Sequence, residues 1–330
     1  MTLPELHLSR PAVILPGHRT DNDEVISRVR GLHRGETVTW PLLEEGIRHI
    51  FQDCNSRYRY LDEASVDPGD QAAGVARECL ERHGVAASAL DVVVYAGMDS
   101  GRLSPAVAAG VAARLGVERS HAFDVGGACA GMLEALHAVA SIFALDSGVQ
   151  TALVCSAELM RGRVSYDVQS LAELEASAAG LTFGNAAAAY LVSRGPLSGG
   201  SARVVALRHG TTPGASSLAF LSRARFEVGE HVVPELRHLL VAAGWQPAHV
   251  DHFLCHQASE TMILALVAEL GIDPAHTVLC HSRYGDTAST SALLALEHRA
   301  EEGVLRSGDN LVLASAVAGC TVAAAAAVWD

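Results

Sequence analysis

Asp124-Val125-Gly126-Gly127-Ala128-Cys129-Ala130-Gly131-Met132 crowds small residues around one cysteine. Apolar positions then recur through Leu133, Leu136, Val139, Ile142 and Phe143. The pattern predicts a strand over His121–Val125, a glycine turn, and a helix whose first turn carries Cys129. A thiol at a helix N-terminus meets unpaired N–H groups and the positive end of the dipole. Both favour the thiolate, so the expectation is a lowered pKa and a nucleophile. The same turn suits a small buried hydrophobe equally well, since free cysteine is often that.

Composition bounds the rest. A chain of 330 residues exceeds one compact core and predicts two domains or a duplicated unit. Apolar residues make up 49% and aromatics only 5%, so a large interior of small side chains is expected. The net charge of −13 is scattered rather than run together, which argues against a phosphate-tracking nucleic-acid partner. Seven cysteines lie at irregular spacing with no Cys-x-x-Cys pair. That argues against zinc, so no metal is expected, and it fits free thiols in a reducing compartment. The N-terminus lacks a basic start followed by an apolar run, and the greasy stretch Leu311–Trp329 reads as two core strands. The expectation is a cytoplasmic protein with no membrane contact.

Outward from the cysteine turn, Gln71–His83 reads as a helix ended by Gly84. Asp91–Ala96 and Gln150–Ser156 read as strands buried on both faces. Ser104-Pro105 is expected to open a helix over Ala106–Leu115, with proline at its first position. Residues 21–67 are charged and loosely periodic, and residues 161–180 read as polar and irregular. Residues 193–200 have linker composition, which divides the chain into halves at 1–195 and 196–330. The second half repeats the first: helices over Pro234–Ala243, Glu260–Leu270 and Ser289–Glu302, strands over Asp251–Cys255, Leu311–Ser315 and Thr321–Val328. A duplicated α/β unit predicts layered sheets with helices outside.

Three further turns follow buried strands: Cys255-His256-Gln257-Ala258-Ser259, the run from His281 to Ser289, and Val317-Ala318-Gly319-Cys320-Thr321. Polar groups at strand ends of layered α/β proteins converge on sites. His256 is a candidate base, although most of the 16 histidines must be ordinary surface or core residues. Asp286, taken alone, reads as a helix N-cap.

Taken together, the cysteine turn, Cys-His-Gln-Ala-Ser at 255–259 and Tyr-Gly-Asp-Thr-Ala-Ser at 284–289 resemble the three active-site motifs of the β-ketoacyl-acyl-carrier-protein synthase III (KAS III) family of the thiolase superfamily. Val154–Arg161, Phe183–Ala186 and Gly308–Leu313 fall where that family has similar segments. The resemblance runs from about residue 70 to the C-terminus, with residues 200–232 matching weakly. It implies a five-layered αβαβα thiolase fold built from two similar halves and paired as a homodimer. It also implies that Cys129 takes an acyl group from a thioester, that His256 and residue 286 complete the site, and that backbone N–H groups of Cys129 and Gly319 hold the oxyanion. The donor would be acyl-CoA or an acyl carrier protein, with no bound cofactor.

One departure changes the expected chemistry. The condensing enzymes carry Asn where this chain has Asp286. Neutral His and Asn donate to the enolate of a decarboxylating malonyl thioester, whereas an ionised Asp only accepts. Beside His256, Asp286 instead stabilises imidazolium, which suits a base acting on an alcohol or amine. A Cys129–His256–Asp286 set resembles the synthase-III-like acyltransferases of natural-product pathways. A protonated Asp286 would still permit condensation, and an inert partner subunit is a third reading. Glu260 and Glu269 stand on the helix where carrier-dependent members often carry basic residues, so coenzyme A is as suitable a donor as a carrier protein. The basic spots at Arg161, Arg163, Arg223, Arg225 and Arg283 read as ordinary solvated charge.

Overall fold

Val92 and Val94 face one side of their strand and Val93 and Tyr95 the other, and all four are buried. The same alternation governs every long strand of the computed structural model, which describes residues 3–61, 66–98, 104–160, 164–212, 228–317 and 321–330. The strands are β1 (His7–Ser9), β2 (Ala12–Ile14), β3 (His18–Asp21), β4 (Tyr58–Leu61), β5 (Val92–Tyr95), β6 (His121–Asp124), β7 (Thr151–Glu158), β8 (Ala186–Ser193), β9 (Ser201–Thr211), β10 (His252–Cys255), β11 (Asn310–Val317) and β12 (Thr321–Trp329). The helices are α1 (Asn22–Leu32), α2 (Trp40–Cys54), α3 (Pro68–His83), α4 (Val107–Leu115), α5 (Gly131–Leu145), α6 (Leu171–Ser177), α7 (Val233–Ala243), α8 (Glu260–Leu270), α9 (His281–Tyr284) and α10 (Ser291–Glu301).

Both faces of the strands are covered, and the covering defines five layers. Helices α3 and α4 pack on Val93, Leu153, Cys155, Ala187 and Leu191. The opposite faces of β5, β7 and β8 meet α5 and α10, which also take Leu254, Leu311, Leu313 and alternate alanines of β12. The far faces of β10–β12 meet α7 and α8 through Phe253, Val312, Val322 and Ala324. Alanine at Ala186–Ala189 and Ala323–Ala327 lets helices approach both sheet faces closely. The strand order is β10-β11-β12-β9-β1-β8-β7-β5-β6, with β2 also on β8. β1 joins the strands of the two halves into one continuous sheet by pairing antiparallel to both β8 and β9.

The halves repeat in bonding detail. Asp91 accepts from the Gln150 and Thr151 N–H groups, as Asp251 accepts from that of Asn310. Ala96 donates to Cys155 O at 2.9 Å, as His256 donates to Ala314 O at 2.8 Å. Ala128 (φ 45°) and Ala288 (φ 49°) are left-handed residues opening matching 3-10 turns, which lead into α5 and α10. Cys129 and Ser289 are therefore repeat mates. The apolar stretch Ala128–Leu145, long enough to cross a membrane, is a central core helix on this packing.

Several expectations shift. Cys129 lies in the 3-10 turn Ala128–Ala130, one turn ahead of α5, not within it. Helix α3 starts earlier than expected, at Pro68, capped by Asp67. Helix α4 starts at Val107, beyond Pro105, because its cap comes from far away: Asp124 accepts from the Val107 and Ala108 N–H groups at 2.8 and 2.9 Å. Asp124 thereby ties the cysteine turn to the outer helix layer. Residues 21–67 hold α1, α2 and β4, and the apolar faces of α1 and α2 form a separate core with α6. Helix α6 falls in a stretch read as irregular. The last helix splits into a 3-10 turn and α10.

One buried charge joins the layers. Glu297 on α10 accepts from Arg10 at 2.8 and 2.9 Å and from Arg82 on α3 at 3.0 Å. The carboxylate side chain is 7% exposed, while the arginines keep about a quarter of theirs. Removing the acceptor leaves two cations that can rehydrate in part. Glu297→Ala is expected to cost about 2 kcal/mol, less than a fully buried pair because the arginines are partly exposed, read as a lowered thermal midpoint.

Candidate active site

The three named side chains arrive from the ends of two strands and one short helix. Cys129 follows β6, His256 follows β10, and Asp286 follows the short helix α9. His256 is 8% exposed and Asp286 4%, while Cys129 keeps partial access to solvent. His256 Nε2 lies 2.9 Å from Asp286 Oδ1, and Nδ1 lies 3.0 Å from Ala316 O. Cys129 is within hydrogen-bonding reach of the same imidazole. The sequence-predicted Cys129, His256 and Asp286 thus come together. Gly319 lies outside the described residues, as do Arg161, Arg163, Arg223 and Arg225.

Both neighbours of the ring are acceptors, a carbonyl and a carboxylate. With Asp286 ionised, His256 satisfies both only by donating from both nitrogens, that is, as imidazolium. Burial opposes the charged ring, but Asp286 and Cys129 outweigh it and hold His256 well above the ordinary histidine range. Burial likewise opposes the Asp286 carboxylate, and His256 together with the Ala288 N–H (2.8 Å) holds its pKa down. The expected lowering at Cys129 is not found. Burial pushes the thiol up, and the pull of His256 only partly offsets it.

Asp286 also stands differently from a relay carboxylate. It sits on Nε2, the nitrogen that Ala316 leaves free. The orienting contact on Nδ1 is the carbonyl of Ala316. Asp286 is held by a two-bond bridge: its N–H donates to Thr182 O at 2.9 Å, and Gly184 N–H donates to its carbonyl at 2.9 Å.

The roles of the supporting residues carry no signal in the sequence, even where, as for Gln257, the residue itself stands in one of the motifs. Gln257 is 1% exposed; its amide donates to Cys255 O and Val278 O, and its oxygen accepts from the Cys280 and His281 N–H groups. It knits the histidine turn to the aspartate turn. Ser315 Oγ donates to Cys129 O at 2.7 Å. Glu158, buried nearby, is bonded to Ser156 and Ser289. A cavity of about 60 Å³ abuts His256, lined by Val232, Met262, Ile263, Leu266 and Ala316. Larger grooves lie along α2, away from Cys129.

Comparison with known proteins places the chain in a family. Residues 123–213 match the family described as 3-Oxoacyl-[acyl-carrier-protein (ACP)] synthase III, and residues 240–329 match its C-terminal part. The chain is 29% identical to a β-ketoacyl-[acyl-carrier-protein] synthase III of Rhodospirillum centenum, over 87% of this chain and 92% of the relative. It is 31% identical to the Symbiobacterium thermophilum protein of that name, over 79% and 83%. It is 30% identical to synthase III 3 of Streptomyces coelicolor, over 82% and 85%. In fold it resembles a variant of Xanthomonas campestris OleA bound with cerulenin (TM-score 0.87, 21% identity, 99% and 97% coverage). It also resembles Pseudomonas aeruginosa FabH, a 3-oxoacyl-(acyl carrier protein) synthase III (TM-score 0.81, 23% identity, 98% of each chain). Family models over more than half of the chain and sequence kinship at this level lead to one conclusion: the chain belongs to the 3-oxoacyl-acyl-carrier-protein synthase III (KAS III)-like family.

Proposed function

We propose that the protein is an acyltransferase. It moves an acyl group from a coenzyme A or carrier-protein thioester, through a thioester on Cys129, to a hydroxyl or amine of a small-molecule acceptor in a natural-product pathway. The observation that carries this reading is the 2.9 Å contact between Asp286 and His256 Nε2. A carboxylate there favours proton uptake by the ring and disfavours an enolate beside it.

The steps balance. Cys129 sulfur attacks the thioester carbonyl, the carbon–sulfur bond to the donor breaks, and the proton lost by Cys129 is matched by the one the departing thiol gains. The acceptor oxygen or nitrogen then attacks the acyl-Cys129 carbonyl and loses a proton, while Cys129 sulfur leaves and regains one. His256 works from Nε2 in both halves, because Nδ1 is committed to Ala316 O: the imidazolium protonates the departing sulfur, and the ring takes up the proton of the attacking thiol, hydroxyl or amine. Backbone N–H groups of Cys129 and Gly319 hold the oxyanion. Residues 1–195 supply the nucleophile, and residues 196–330 supply the histidine and the carboxylate. The chain's own groups supply all of this chemistry, so no bound cofactor is invoked.

A homodimer and a cytoplasmic location belong to the same reading. Among the described residues, β6 ends the sheet with an unpaired edge, which a second copy would cover. Condensation is the second reading, favoured by the names of the relatives.

Intact mass after incubation with acyl-CoA and acyl-carrier thioesters tests the proposal. The expected result is an acyl adduct mapped to Cys129, discharged by hydroxyl or amine acceptors, with malonyl thioester left undecarboxylated. Efficient malonyl decarboxylation by the native protein would overturn it in favour of condensation. Absence of any adduct would favour an inert partner subunit.

A further inference from the structure

Glu158 ends β7 and is 1% exposed. Its carboxyl group accepts from Ser289 Oγ, from Ser156 Oγ at 3.2 Å, and from the Met98 N–H at 3.2 and 3.3 Å. The two hydroxyls also meet each other at 2.9 Å. All these donors are neutral. Burial raises the carboxyl's pKa to about 7, against the pull of those donors. Isolation of such a group from water is costly, so its presence beside the site needs a reason.

The repeat supplies one. Ser289 is the mate of Cys129, and it follows a left-handed alanine just as Cys129 does. A non-glycine residue at φ 49° stays there only when its surroundings enforce it. Here the N–H of that same Ala288 donates to Asp286 Oδ1, the oxygen that faces His256 Nε2. A continuous chain of contacts therefore runs from Glu158 through Ser289 and Ala288 to Asp286 and His256. On the cysteine side, Ser315 occupies the place that Ser156 occupies here, and it holds the Cys129 carbonyl. One copy of the duplicated turn presents the nucleophile; the other became a buried brace.

We propose that Glu158 is a positioning residue: by holding Ser289 it fixes the left-handed turn at Ala288 and so keeps Asp286 against His256. The inference rests on the reading of Cys129, His256 and Asp286 as the working site. The charged or titratable groups acting on His256 are Asp286 and Cys129. A slip of the aspartate therefore registers in the ring's own titration.

The experiment follows the His256 ring protons by NMR against pH in the full chain, with thermal melting to confirm folding. Glu158→Ala is expected to lower the His256 midpoint by at least one pH unit, about tenfold in proton affinity. Ser289→Ala is expected to move it the same way, and it carries the test should Glu158→Ala fail to fold. Glu158→Gln keeps an acceptor for Ser289 and Met98 and is expected to retain the wild-type midpoint, which a role through charge would not allow. A folded Glu158→Ala or Ser289→Ala protein with an unmoved His256 midpoint overturns the brace. Asp286→Asn in the same titration separates the two failures: an unmoved midpoint there defeats the underlying site reading instead.

Discussion

Asp286→Asn is expected to lower acyl transfer to a hydroxyl or amine by about 10²- to 10⁴-fold, the usual worth of a positioned acid–base group. The reason lies in who donates to whom. In the native site both nitrogens of His256 face acceptors, and the ring is held as imidazolium. An asparagine that turns its amide donor toward Nε2 gives up the bond from the Ala288 N–H, because both contacts fall on the same oxygen in the native site. The turned amide satisfies a neutral ring with its proton on Nδ1. The variant loses its stabilised imidazolium and gains a donor where an enolate could form. Malonyl decarboxylation is therefore expected to rise while transfer falls, and both are read by product mass and carbon dioxide release. A variant that transfers as well as the parent would remove the argument for a charged pair.

The same substitution should flatten the dependence of stability on pH. The Asp286 pKa is lowered on folding, so its contribution is present above the ordinary carboxylate range and is lost as pH falls through the folded value. The His256 pKa is raised, so its contribution is full below the ordinary histidine range and is lost as pH rises through the folded value. Between those limits the pair stabilises the fold at a constant level. In Asp286→Asn neither slope survives, which thermal melting at several pH values reads directly.

Legibility in the chain divides along a physical line. Buried strands such as Val92–Tyr95 and Thr151–Glu158 announce themselves by continuous apolar runs, and the glycines after α3, α7 and α8 mark helix ends. Short motifs with a chemical role, at Cys129, His256 and Asp286, are legible because the residue types are unusual in their settings. Contacts across long sequence separations are not. Asp124 caps a helix that precedes it by 16 or 17 residues, and Glu158 reaches Ser289 across 131. Gln257 sits in a legible motif, yet its use as a four-fold brace depends on where residues 278–281 return. The Cys129 pKa departs from expectation for a related reason. Helix position is local and visible in sequence, whereas burial is set by the whole fold, and here it outweighs the pull of His256. Charged outer faces obscure helices α1 and α2, although Val25, Val29, Leu43, Ile47 and Phe51 form their buried stripe.

Gly285→Ala is expected to destabilise the protein by about 3 kcal/mol and to reduce transfer further than that loss explains. Gly285 has φ 72° and ψ −165°, a combination open to little but glycine. A methyl group there would stand 2.5 Å from Thr182 O and 3.0 Å from the Arg59 Cβ. The first is a backbone atom, and Arg59 is fully buried, so neither can yield cheaply. Left-handed backbone cost of about 1–2 kcal/mol and overpacking of about 1–3 kcal/mol together give the figure. The functional loss follows from which carbonyl is struck. Thr182 O is the acceptor for the Asp286 N–H, at 2.9 Å, in the bridge that carries the carboxylate to His256. Displacing that carbonyl displaces Asp286 with it, and the hydrogen bond to the ring weakens steeply with distance and angle. Gly303→Ala supplies the comparison, since Gly303 is also left-handed, at φ 67°, but has open space where the methyl would go. It should cost about 1 kcal/mol and leave transfer per folded molecule unchanged. Thermal midpoints and transfer rates of the two variants, measured side by side, decide the matter: equal losses would mean that Gly285 serves only its own backbone and not the aspartate beside it.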